Sequence, residues 1–325
     1  MSRIAALLSG LALATSVGCR GSARSDSSVA PSSSASAAAV PVASASAAPA
    51  ACSPPCNRIE RCEAGKCVPN CPDGEVYIPA TGPKGFTMGR GKPGEKDQPH
   101  TVVLTHPFCM DAIEVTVAAY RRCVEAGKCE QPELNDANSN YRPEFARDDH
   151  PVNMVNWAKA TNYCKQQGKA LPTEAQWEWA AGHGDGRVYP WGDTKPDCDN
   201  NLADMTPGGS PHTDPAGDVG CHGGGSSPVK AHPKGKSTWP DGDLYDLGGN
   251  VWEWTADCYL PYPAEKQVDP SPQTHPSLHG DCWVRSLRGG GWNRSHVGLQ
   301  AAYRAASKRT YEVPGLGFRC VRNPE

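Results

Sequence analysis

The sequence predicts a loop-rich fold with few helices rather than a helical or doubly wound one. Glycine and proline are abundant, at 34 and 31 of 325 residues, and hydrophobic residues reach only 38%. That balance disfavours helical bundles and doubly wound sheets. Helix signals are few, and each is short and bounded by its own cap and stop. Fifteen cysteines are too many for a reduced cytosol and indicate an oxidising compartment. The formal charge is −3 with no long basic run, which argues against nucleic acid as a partner.

The chain opens on Arg3 and an apolar run over residues 4–17, too short and small-residued for a membrane span, which reads as a signal-peptide core. Ser16-Val-Gly-Cys19 follows and resembles a bacterial lipobox, with Ser16 where leucine is usual. The resemblance implies that residues 1–18 are removed and that Cys19 is lipidated, giving a cell-envelope lipoprotein held to the membrane; plain secretion is the alternative. Residues 19–51 form a linker, almost wholly Ser, Ala, Pro and Val beyond Gly21, with nothing to build a core. Cys52, Cys56, Cys62, Cys67 and Cys71 then crowd a short annex, 52–71, that cannot fold on its few apolar residues. Disulfides are expected there rather than a zinc knuckle, because no histidine lies among these cysteines. With Cys19 lipidated, 14 cysteines remain, an even number.

Residues 72–325 form the main domain. The alternating residues 101–104 read as a strand, with His100 before them as a loop residue rather than a ligand. Thr116 caps a helix that places Val117, Tyr120 and Val124 on one face and stops at Gly127. Asn156 caps a second helix over 157–167, ended by Gly168. Thr173 and Gln176 form a capping box for a third, in which Trp177 and Ala180 face one way toward a core.

Three blocks carry the most information. They are Leu171-Pro-Thr-Glu-Ala-Gln-Trp-Glu-Trp-Ala180, then Asp246-Leu-Gly-Gly-Asn-Val-Trp-Glu-Trp254, then Leu287-Arg-Gly-Gly-Gly-Trp292 with Gly317-Phe-Arg-Cys320. In this order they resemble the formylglycine-generating enzyme family, the sulfatase-modifying-factor domains, over residues 76–322. The resemblance implies that family's irregular, loop-rich α+β fold with few helices and short strands, related to C-type lectin folds. It also implies a disulfide between Cys164 and Cys320. The other cysteines suggest local pairs: Cys123 with Cys129, Cys198 with Cys221, Cys258 with Cys282, and Cys71 with Cys109 as the leftover choice.

Calcium is the cofactor the resemblance implies. Carried over by position, Asp246 and Glu253 give carboxylates and Leu247, Gly249 and Val251 give carbonyls, on a turn whose glycines let the backbone curl around an ion. A second site would use Asn201, the carbonyl of Leu202, and Asp218. The competing reading is a turn closed by hydrogen bonds to Asp246 and Glu253 without metal. Active members of the family bind copper(I) through two cysteines placed after a Gly-Gly-Ser. The matching positions here are Gly291 for the serine and Arg294 and Leu299 for the cysteines, with no cysteine between Cys282 and Cys320. Copper is therefore not expected. Iron is not expected either: His275 and His279 have a family-like spacing, but Pro276 breaks any helix there.

Trp252, Trp292, Arg294, His296, Tyr303 and Arg304 remain as groove-lining candidates, suited to a peptide, an acidic or sulfated glycan, or a polar small molecule. Buried packing for the tryptophans and salt bridges for the arginines is the bland alternative. The expected function is a non-catalytic, calcium-stabilised binding or assembly module of the cell envelope with a protein, peptide or glycan ligand. The alternative is a formylglycine-generating or other metal-dependent oxidase working by altered chemistry.

Overall fold

Three α-helices form, among the described residues, where the sequence supplies side-chain caps. Thr116, Asn156 and Thr173 each accept a backbone N–H three residues on, opening α1 (Val117–Glu125), α2 (Trp157–Gln166) and α3 (Glu174–Gly182). Gln176 returns a bond to the Thr173 N–H, completing the capping box. The computed structural model describes residues 52–57, 60–63, 65–206, 221, 224–272 and 282–323. The signal segment, the linker and Cys19 lie outside these, as do Asp218, His275 and His279.

The strands are short, in chain order β1 (Glu60–Glu63), β2 (Lys66–Pro69), β3 (Glu75–Ile78), β4 (Phe86–Met88), β5 (His100–Val103) and β6 (Phe108–Asp111). After the helices come β7 (Ser237–Trp239), β8 (Gly242–Leu244), β9 (Trp252–Cys258), β10 (Gln267–Val268), β11 (Val284–Arg288), β12 (Ala305–Lys308), β13 (Leu316–Gly317) and β14 (Val321–Arg322). They form five small sheets, of which the largest has the order β12-β11-β9-β13. His100, expected as a loop residue, is instead the first residue of β5. It pairs with Met88, lies buried, and sets its ring tilted against that of Tyr262, with centres 4.9 Å apart.

The central strand β9 alternates its faces. Trp252 and Trp254 join a core with Tyr120, Tyr163, Leu287 and Phe318, while Glu253 points back toward Trp177 of α3. Val76, Phe86, Trp177, Ala180, Leu244 and Leu247 build the core on that other side. Trp177 and Ala180 are buried as their spacing predicts, as are Val117 and Tyr120, with Val124 partly buried.

Seven disulfides join every cysteine from Cys52 onward. Cys164–Cys320 ties α2 to the C-terminal strands, and the pairs Cys71–Cys109, Cys123–Cys129, Cys198–Cys221 and Cys258–Cys282 all form. In the annex, Cys52 pairs with Cys62 and Cys56 with Cys67 across the β1–β2 hairpin. The sulfurs of Cys52, Cys56 and Cys67 lie within 4.8 Å of one another, but all are in disulfides, so none is a thiolate for zinc. Such bonding suits an oxidising compartment outside the cytosol. Among the described residues, no helix is long and apolar enough to cross a membrane.

Candidate functional site

The 246–253 turn is left-handed at three positions, Asp246, Gly249 and Asn250, with φ of 58°, 106° and 60°. Gly249 is also a close approach, since a Cβ there would stand 2.6 Å from the Asp204 carbonyl. The turn is stitched to the third sequence block. Gly249 N–H donates to Gly289 O at 2.9 Å, and Trp292 N–H donates to Asn250 O at 2.7 Å.

Four carboxylates lie buried around this turn: Glu114, Asp204, Asp246 and Glu253. Glu253 is met by Arg319, whose Nε sits 2.9 Å from both oxygens and whose Nη2 sits 2.7 Å from Oε1; Trp177 Nε1 adds a bond at 2.9 Å. Asp246 Oδ2 accepts the Lys230 N–H at 2.7 Å. Glu114 accepts from Asn250 Nδ2 at 2.6 Å and from Val251 N–H at 3.2 Å. Asp204 Oδ2 accepts from Ser227 Oγ at 2.8 Å. Burial lifts the Asp246 carboxyl from 3.8 to about 6, with the charges of Glu253 and Asp204 adding to it. Burial likewise holds Glu114 well above its ordinary value, reinforced by Asp246 and Glu253.

These residues fit a hard cation in two respects. Negative charge gathers around Arg319, and the backbone curls at the glycines. They depart in one: Glu253 is engaged on both oxygens by Arg319 and Trp177, which leaves Asp246 as the carboxylate of the set not held by a guanidinium. Sequence reasoning missed Glu114, Asp204 and Arg319. Glu114 stands two residues before the Thr116 cap, and its only signal was that position.

A pH prediction follows. The folded-state pKa of Asp246 lies above its unfolded value, so ionisation opposes folding and stability is lost as pH rises through that window. Without calcium, Asp246→Asn is expected to be stabilised relative to wild type by an amount that grows from about pH 4 to about pH 6 and then levels off. Urea midpoints of the two proteins in chelator measure it. Parallel pH profiles would show that burial does not confine this carboxyl.

The second calcium set is placed differently. Asn201 Oδ1 lies 2.8 Å from His232 Nδ1, and the Leu202 carbonyl backs onto Gly235, where a Cβ would stand 1.8 Å away. Asp218 lies outside the described residues.

Residues 291–299, which the resemblance sets against the family's catalytic cysteines, include no cysteine. Gly291 has room for a Cβ, which would meet the backbone of Asn250, Trp252 and Gly315 at 3.4 Å. Leu299 is fully buried beside Tyr189, Ala203 and Met205. Arg294 is partly buried, as is His296, whose pKa is lowered by burial and then by Lys195. Trp292 is 7% exposed and Ser295 3%, and among the described residues neither Trp292 Nε1 nor Ser295 Oγ has a hydrogen-bond partner. Trp252 and Tyr303 are buried together with ring centres 6.1 Å apart, and Arg90 lies over Tyr303.

Arg304 turns away into a buried network. Its Nη2 reaches Glu174 Oε2 at 2.6 Å, and Arg288 Nε reaches Glu174 Oε1 at 2.9 Å. Burial pushes the Glu174 carboxyl up, but Arg304 and Arg288 outweigh it and hold the carboxyl below its ordinary value. Of the six groove candidates, then, Arg294 and His296 keep exposed surface, Trp252, Trp292 and Tyr303 are buried, and Arg304 is neutralised inside the protein.

A family model described as "Sulfatase-modifying factor enzyme 1-like domain" matches residues 66–324. The formylglycine-generating enzyme of Streptomyces coelicolor is 31% identical over 303 residues, covering 79% of this chain and 91% of that protein. The "Inactive C-alpha-formylglycine-generating enzyme 2" of Mus musculus is 37% identical over 172 residues, covering 53% of this chain and 48% of that protein. Among solved structures, PvdO from Pseudomonas aeruginosa has a TM-score of 0.54 at 22% identity, covering 78% of this chain and 95% of its own. Treponema denticola variable protein 1 has a TM-score of 0.53 at 20% identity, covering 77% and 95%. At these identities the structures speak for the fold alone.

Proposed function

The chain belongs to the sulfatase-modifying factor enzyme 1-like family, and from that premise we propose that it is a non-catalytic binding or assembly module, exported, lipid-anchored through Cys19 and stabilised by calcium. One observation carries the reading. Every cysteine from Cys52 onward is in a disulfide, and the positions that the resemblance assigns to the family's thiolates hold Arg294 and Leu299. A shared fold carries no activity without its site. The similarity to a relative called inactive is compatible with this. The ligand is a group rich in acceptor oxygens, such as a carboxylate or sulfate. Among the described residues Trp292 Nε1 and Ser295 Oγ are buried donors with no partner, flanking the cationic Arg294 in sequence.

A sulfatase-type Cys-x-Pro-x-Arg peptide, incubated with the protein with or without copper, is expected to keep its mass. Loss of mass at the peptide cysteine would overturn the reading, and His296 and Trp252 would then be the first residues to mutate. The second reading, an oxidase with altered chemistry, draws on the extent of similarity to the Streptomyces protein. A redox metal recovered with the purified protein would favour it.

Calcium at Asp246 and the carbonyls of Leu247, Gly249 and Val251 would neutralise the buried acid cluster. Calcium at a hundred times its Kd is expected to stabilise the fold by about 2.7 kcal/mol through mass action, and Asp246→Ala is expected to abolish most of that gain. Glu253→Gln tests the departure: with Arg319 its main partner, it should destabilise the protein in calcium and in chelator alike. A wild-type melting curve indifferent to chelation would mean a hydrogen-bonded turn without metal.

A further inference from the structure

Strands β3 and β6 set two acids side by side. Glu75 and Asp111 are register partners across this antiparallel pair, so their side chains leave the same face of the sheet. Like charges directly opposite one another destabilise paired strands. Lys169 enters between them. It stands one residue before Ala170, whose N–H and carbonyl both bond Val321 of β14 at 2.8 Å. Its Nζ meets Asp111 Oδ1 and lies 2.7 Å from Glu75 Oε1. The three side chains are shielded: Lys169 is 13% exposed, Asp111 14% and Glu75 4%.

The two carboxyls are held differently. Asp111 Oδ2 accepts the Cys320 N–H at 2.9 Å, while Oδ1 is the oxygen that meets the amine. Glu75 is gripped at Oε1 by Arg322 Nη2 at 2.8 Å as well as by Lys169. Its other oxygen, Oε2, is buried with no hydrogen-bond partner among the described residues. An unused buried acceptor is costly, and a purely structural salt bridge gives no reason to keep one. Burial also lifts the Asp111 carboxyl above its ordinary value, against the pull of Lys169. The site therefore favours the neutral acid.

We propose that Lys169 and Asp111 become joined by an isopeptide bond, with Glu75 as the proton carrier. A proton passes from the Lys169 ammonium to Asp111 Oδ1, which sets a neutral amine against a neutral acid. Nζ then attacks Cγ, while the Cys320 N–H supports the charge that develops on Oδ2. Glu75 takes a proton from Nζ and gives it to Oδ1, which departs as water. One N–C bond forms and one C–O bond breaks. Glu75 is regenerated, and nothing is oxidised or reduced. Two buried ions become an uncharged amide, so desolvation favours the product. The fold has already brought the reacting groups into contact, which removes the entropic cost of their meeting. The bond would link positions separated by 58 in the chain, beside the Cys164–Cys320 disulfide. Unlike that bridge, it survives reduction.

The test uses the folded full chain, which is reduced, alkylated and digested with trypsin before its peptides are weighed and fragmented. The expected product is a branched peptide that joins Lys169 to Asp111 and weighs one water less than its two arms. Trypsin cannot cut after an acylated lysine, so the linear peptide ending at Lys169 is expected to be missing. Lys169→Arg keeps a cation between the acids but is too weak a nucleophile, and should give no branched peptide. Glu75→Gln keeps the shape and removes the proton carrier, so the branched peptide is expected to fall by about a hundred-fold. The wild-type digest is decisive whether or not a variant folds. Linear, unmodified peptides carrying Lys169 and Asp111 would overturn the proposal. A branch at Glu75 instead of Asp111, or an undiminished branch in folded Glu75→Gln, would overturn the roles given to the two acids.

Discussion

Replacing Cys164 and Cys320 together by alanine is expected to destabilise the protein by about 5 kcal/mol, the largest effect of any disulfide here. The bridge closes a loop with a sequence separation of 156, and in the chain-entropy model the stabilisation grows with the logarithm of loop length. Both cysteines are fully buried in the core that holds Tyr120, Tyr163 and Phe318. Alanine therefore loses packing as well as the cross-link. The same substitution at Cys123 and Cys129, separated by 6, is expected to cost about 2 kcal/mol. Urea unfolding of both variants against wild type gives the comparison. Equal losses would mean that the long loop is already restrained in the denatured chain, and the Ala170–Val321 pairing is the contact to examine there.

Arg288→Ala is expected to cost about 3–5 kcal/mol, because it removes one partner from a buried ion network and leaves the others uncompensated. Arg288 is wholly buried. Its Nε binds Glu174 at 2.9 Å, and its Nη2 reaches Glu178 at 2.8 Å and the Tyr262 hydroxyl at 2.6 Å. Arg304 can still neutralise Glu174. Among the described residues no second guanidinium meets Glu178, which keeps the Gly89 N–H. Burial already raises the Glu178 pKa against the pull of Arg288, and loss of the arginine raises it further. A carboxyl with a raised folded-state pKa loses stability as pH climbs, so the penalty should be smaller at about pH 4 than at about pH 8. A penalty independent of pH would point to lost packing of the arginine stem rather than to an uncompensated charge. Arg288→Lys should fall between, since one ammonium cannot reproduce the planar fork that spans both glutamates.

The sequence determined whatever is settled within a few residues. Thr116, Asn156 and Thr173 start helices because a side-chain oxygen three positions before an N–H needs no distant partner. The Cys123–Cys129 pair was legible for the same reason, and the family blocks carried the fold and the Cys164–Cys320 bridge. The choices across a hundred residues were not legible. Glu174 reads as a first-turn acid of α3, and Arg304 as a cation free to meet a ligand. Only the packed structure sets them 2.6 Å apart across 130 positions and converts a groove candidate into a buried support. In the same way Glu253 reads as a calcium ligand until Arg319, 66 residues on, closes on both its oxygens. The physical reason is common to both. Caps and turns are local hydrogen bonds, fixed by residue type and spacing, whereas the partner of a buried charge is fixed by which elements pack together, and desolvation then makes that pairing obligatory.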